Sequence, residues 1–301
     1  MFSHDASFSH FEYLLSQGDE HADGAARFLD ALVATSGSRR RRLPKGRTLA
    51  RAQRGYVMRE EPDTEMAVPD AFLPERMKPP REGMRDGRAS SKEKPCLYLA
   101  TDPDAAMAEV RPWVGAHISL AHFKLIKDCM LIDCSHDKVV SIELMLREDP
   151  ATPAEEEAAI WGDVAHAFSK PLTQDDVPSE YLATQAISER FQREGYDGIA
   201  YQSPLGKGKC IALFDLDAAE LAQCALFETK SVTHTFGQIN NWYCIPKHYQ
   251  HVADSIGIDV SSPEAARPRF LRIVDYRLCE EDRETPTAGL DAEGQEPDRE
   301  V

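Results

Sequence analysis

The chain has 301 residues, 42% of them hydrophobic and 29% charged, enough to bury a full core without disulfides or structural metals. A formal charge of −16 opposes sequence-independent attraction to nucleic acid or anionic lipid over the whole surface. No stretch approaches the ~20 apolar residues that span a bilayer, and the seven scattered cysteines form neither a CxxC pair nor a zinc spacing, so they read as reduced thiols in a cytoplasmic protein.

The opening MFSHDASFSHFEYLL has no basic start followed by an apolar run, so it does not read as a secretory signal. Phe8, Phe11, Leu14 and Leu15, then Ala25, Phe28, Leu29 and Leu32, predict two short helices, with Gly18 and Gly24 as breaks. SRRRRLPKGR at 38–47 concentrates cations and reads as an exposed linker at a boundary; the run Arg39–Arg42 lacks the interleaved aromatics of a nucleic-acid surface. PCLYLATDPD at 95–104 predicts a buried strand and a turn, with Asp104 as the cap of a helix that bears Glu109.

Weak alternation around Ile118, Leu120 and His122, and the apolar run CMLIDC at 129–134, predict two more strands. Helices follow over 153–168 and 179–194, the second ended by Gly195, and then strands in YDGIAYQS and CIALFD. The order favours an α+β fold, with mixed small β-sheets and flanking helices. Residues 1–38 would be a helical extension, and 237–279 an extension sealed by Trp242, Tyr243 and Tyr249. The acidic segment 280–301 has too few large aliphatics to order itself and is expected to be a disordered tail.

Four segments occur in one order: LARAQRG (49–55), PPREGMRDGRAS (79–90), PCLYLATDPDAAMAEVRPW (95–113) and TQAISERFQREGYDGIAYQS (184–203). Together they resemble the RES domain family, over roughly residues 44–236, with the domain set at 39–236. The resemblance implies an ADP-ribosyltransferase-like fold and NAD as substrate rather than a metal cofactor. It also implies NAD cleavage by a toxin whose site an antitoxin or immunity protein covers. Ser90 is a departure, since many relatives have Asn after the Gly-Arg pair.

NAD carries two phosphates and a cationic nicotinamide that leaves as the ribose develops positive charge. Guanidinium groups fork onto phosphate oxygens, which singles out Arg51 and Arg88 for the pyrophosphate, with Gly55 and Gly87 permitting close approach of the backbone. The Glu109 carboxylate would stabilise the cationic ribose, Tyr98 would offer a ring and a hydroxyl, and Ser203 would position the ribose or a phosphate. Arg54 competes with Arg51 for the first arginine. Glu109 paired to Arg111 or Arg85, Tyr98 as a core residue and Ser203 as a Ser-Pro turn are the plain structural alternatives.

His117, His122 and His136 with Cys129 and Cys134 match no zinc pattern, so no metal is expected. Besides cleavage with water or phosphate as acceptor, two other functions fit the sequence. One is an ADP-ribosyltransferase acting on a macromolecule, the other a non-catalytic RES-like binding module.

Overall fold

The computed structural model describes residues 7–61, 66–81, 86–135, 152–170 and 178–236. In chain order, helices α1 (Phe8–Ser16) and α2 (Ala22–Thr35) precede strands β1 (Arg40–Leu43), β2 (Thr48–Arg54), β3 (Val57–Glu60) and β4 (Ala67–Asp70). The single turn α3 (Pro74–Met77) follows, then β5 (Leu97–Ala100), α4 (Pro103–Glu109), β6 (His117–Leu125) and β7 (Cys129–Asp133). After α5 (Pro153–Ser169) and α6 (Leu182–Arg193) come β8 (Gly198–Gln202), β9 (Lys209–Leu213) and β10 (Ala219–Glu228).

Eight strands form one sheet in the order β1-β7-β8-β9-β5-β2-β6-β10, while β3 and β4 pair separately. Only β7 and β8 run parallel, and α5 and α6 lie in the connection between them; the other neighbours are antiparallel. The α+β class with mixed strand directions is therefore present. These elements fall within the compact unit Met1–Val232. The expected extension at 237–279 and acidic tail at 280–301 lie outside the described residues.

The central strands are apolar on both faces because both are covered. Ile199 and Tyr201, like Cys210 and Ala212, face a layer holding Phe11, Phe28, Trp161, Phe168 and Phe191 from the helices. The intervening Ala200, Ile211 and Leu213 join Leu97, Leu99, Phe123, Leu131 and Met77 on the other side. Burial of each large apolar side chain contributes about 1.5–3 kcal/mol. The N-terminal helices share this core: Phe11 stacks on Phe28 at 4.4 Å, and the Trp161 indole donates to Thr35 Oγ1 at 3.1 Å.

Local signals explain most element ends. Ser7 caps α1, and Thr152 and Glu155 form a reciprocal capping box on α5. Gly195 follows α6 at φ +85°, as its predicted role requires. Among the described residues no helix is long and apolar enough to cross a membrane.

Three local expectations are corrected. The arginine run is not a linker: β1 pairs Arg40 through Leu43 with Ile132 through Cys129, and its exposed cations occupy a sheet edge, where charge deters further pairing. Gly24 does not break α2 but sits inside it, where a Cβ would come within 2.9 Å of Leu14 Cδ1. The cap of α4 is Asp102, whose carboxylate accepts from the Asp104 and Ala105 amides, with Pro103 at the first helical position.

Candidate active site

β2 and β5 share one registered pair, Ala50 with Ala100, whereas β2 pairs with β6 along its whole length. Helix α4 places the small residues Ala105 and Ala106 against Ala50, Ala100 and Leu120, so it lies close to the sheet. Glu109, the last residue of α4, thereby reaches a cavity of about 350 Å³ lined by both strands, by the 86–90 turn and by Tyr201, Pro204 and Cys210. Arg51, Arg88, Tyr98 and Glu109 all line this cavity.

The Arg51 guanidinium donates from Nη1 to the Tyr98 carbonyl at 3.0 Å, and its buried Nε has no hydrogen-bond partner. Burial first, and then the charge of Arg76, lower its pKa to about 10. It therefore stays protonated at neutral pH. Arg88 is 8% exposed and donates from Nη1 to the Phe168 carbonyl, near the C-terminal end of α5. A helix C-terminus favours a cation while leaving its full charge unneutralised. Among the described residues neither arginine pairs with a carboxylate, so both charges remain for an anion.

Glu109 Oε1 accepts from Ser203 Oγ at 2.6 Å and from Cys210 Sγ at 3.5 Å. Ser203 is buried, and its hydroxyl fixes the carboxylate besides accepting from the Leu205 amide at 3.3 Å. It acts on Glu109, and does not itself line the cavity. The Tyr98 hydroxyl accepts from the Ala89 amide and hydrogen-bonds Ser90 Oγ, both at 3.0 Å. Burial pushes the Tyr98 phenol up to about 12, so it keeps its proton. Its hydroxyl holds the 87–90 turn, and the residue lines the cavity. The same turn needs Gly87, where a Cβ would come 3.0 Å from both Ser90 Oγ and Tyr98 Oη.

Cys96, Cys129 and Cys210 are pushed up to about 12, 11 and 12 by burial, and Cys134 is also raised. A thiolate nucleophile at neutral pH is disfavoured at each. Ser90, Cys210 and Gln185 were not singled out as site residues by the sequence. Gln185 lies on α6 within the 184–203 segment, and its Nε2 donates to the Gly87 and Ser90 carbonyls at 3.0 and 2.9 Å. Only the fold reveals these contacts.

An open groove of about 1220 Å³ adjoins the cavity through Arg51, Ala52, Glu109, Val110 and Arg111, which line both. Arg54 belongs to the groove, its guanidinium 5.2 Å from the Trp113 ring centre. Another cavity, of about 330 Å³, lies behind the 89–91 segment, but its cations are matched, Lys94 to Glu189 and Arg81 to Asp217. The unmatched guanidiniums distinguish the first. If the cavity turns over NAD, as the resemblance implies, Arg51→Lys should reduce that turnover at least about tenfold, because an ammonium cannot fork onto phosphate. Arg54→Lys should lose less, and the reverse order in steady-state kinetics would put Arg54 at the inner anion site.

These features define an α+β domain whose cleft sets arginines with no carboxylate partner among the described residues beside the Ser203-held carboxylate of Glu109. The pattern of the RES domain matches residues 67–232, more than half of the chain, and the chain belongs to that family. The matched span includes Arg88, Tyr98, Glu109 and Ser203, while Arg51 precedes it. No curated protein matches the chain. Among solved structures, the chain is similar to the MbcT-MbcA toxin-antitoxin complex of M. tuberculosis at 16% identity and a TM-score of 0.36. The alignment covers 65% of this chain and 92% of that one.

Proposed function

We propose that the chain cleaves the nicotinamide–ribose bond of NAD, with water or inorganic phosphate as acceptor, and acts in the cytoplasm as a toxin that depletes the cofactor. The observation that carries this reading is the convergence in one cavity of buried Arg88 and half-buried Arg51, neither paired with a carboxylate among the described residues, with the serine-braced carboxylate of Glu109. Arg51 and Arg88 would hold the pyrophosphate. The Tyr98 ring would pack against the nicotinamide-side ribose or the nicotinamide. Glu109, held by Ser203, would stabilise the positive charge that grows on the ribose as nicotinamide departs. NAD is the substrate, and the proposed chemistry calls for no metal. An antitoxin or immunity protein covering the cleft would restrain it.

Incubating the purified chain with NAD, with and without inorganic phosphate, and separating the products by chromatography tests this reading. Free nicotinamide with ADP-ribose identifies hydrolysis, and a phosphorylated ADP-ribose identifies phosphorolysis. Nicotinamide release with the ADP-ribosyl unit attached to added protein would replace water or phosphate by a macromolecular acceptor. If no nicotinamide appears, the reading fails.

A further inference from the structure

The groove outside the cavity inverts the charge of the protein around it. The whole chain has 51 acidic residues against 35 Lys and Arg, yet the groove is lined by Arg51, Arg54, Arg76 and Arg111, with Glu109 as its one carboxylate. Among the described residues none of these arginines pairs with a carboxylate. Arg111 adopts φ +47°, an uncommon conformation for a residue with a Cβ, immediately before Pro112. Trp113 is 63% exposed with Arg54 stacked over it, and Tyr56 packs against His117 at 4.8 Å between ring centres. Unpaired guanidiniums beside an exposed indole match a phosphate joined to a stacking base.

We propose that this groove is a nucleotide subsite in which Trp113 stacks a base while Arg54, Arg76 and Arg111 hold its phosphate. The proposal rests on the reading of NAD as substrate and assigns the adenylate half of the dinucleotide to the groove. The nicotinamide half then occupies the inner cavity. Arg51, common to both spaces, would lie at the pyrophosphate between them.

The test is calorimetric titration of the full chain with AMP and, separately, with nicotinamide mononucleotide. AMP should bind the wild type, Trp113→Ala should weaken it about tenfold, as expected for the loss of one base–aromatic stack, and Trp113→Phe should recover most of the loss. Nicotinamide mononucleotide should be far less sensitive to either change. The exposed position of Trp113 keeps its variants foldable, which melting curves verify. Absence of AMP binding to the wild type, or equal AMP affinity for wild type and Trp113→Ala, overturns the subsite. AMP contains no nicotinamide–ribose bond, so this outcome is read separately from NAD cleavage, whose absence overturns the proposed function instead.

Discussion

Glu109→Gln should fold like the wild type and release nicotinamide from NAD about a hundredfold to a thousandfold more slowly, the loss expected when a charge aimed at the transition state is removed. The amide oxygen can still accept from Ser203 Oγ, so the packing around the carboxylate survives. What disappears is the negative charge that the proposed mechanism sets against the ribose. Because that charge matters most as nicotinamide leaves, the fall should lie in kcat, with a smaller change in KM. Under the proposed toxin function, expression of the variant should arrest growth less than expression of the wild type. Steady-state nicotinamide release with a melting curve decides the matter: a folded variant with wild-type turnover removes Glu109 from the chemistry.

Gly198→Ala should destabilise the protein by about 3 kcal/mol, roughly 6–12 °C in melting temperature, through steric conflict inside the sheet. A Cβ on Gly198 would stand 2.3 Å from the Ala212 carbonyl oxygen and 3.2 Å from Leu131 Cδ2. Backbone cannot yield as a side-chain tip does. Gly198 pairs with Leu131 on one side and Leu213 on the other, so relief must distort the junction of parallel and antiparallel ladders. β8 also leads to Ser203, so activity should fall with stability. Gly37→Ala is the control, having no atom within 4 Å of the added Cβ and no positive φ, and should shift stability by less than about 0.5 kcal/mol. Equal denaturant midpoints for both variants would refute the steric argument.

Much of the fold was legible because local patterns matched the buried layers. The apolar runs in PCLYLATDPD and CIALFD read as buried strands and are covered on both faces, and the phenylalanines of α1 and α2 marked helix faces that join the core layer on one side of the sheet. The residue types needed to grip phosphate and stabilise a cationic ribose could also be read in order. Local sequence reports such features because the repeat of a strand or helix is written within a few residues.

Other features were set by partners distant along the chain. Arginines 40–42 carry no apolar alternation, and it is hydrogen bonding to β7, about 90 residues away, that makes them an edge strand. β10 was missed because only one face of it is covered, and its definition comes from β6. Arg51 and Arg54 look equivalent in LARAQRG, yet one meets the Tyr98 carbonyl in the inner cavity and the other lies over Trp113 in the groove. The sequence by itself determined which charges and rings the protein has; the tertiary structure decided which remain unpaired, because burial and the distance to a counter-charge exist only once remote segments meet.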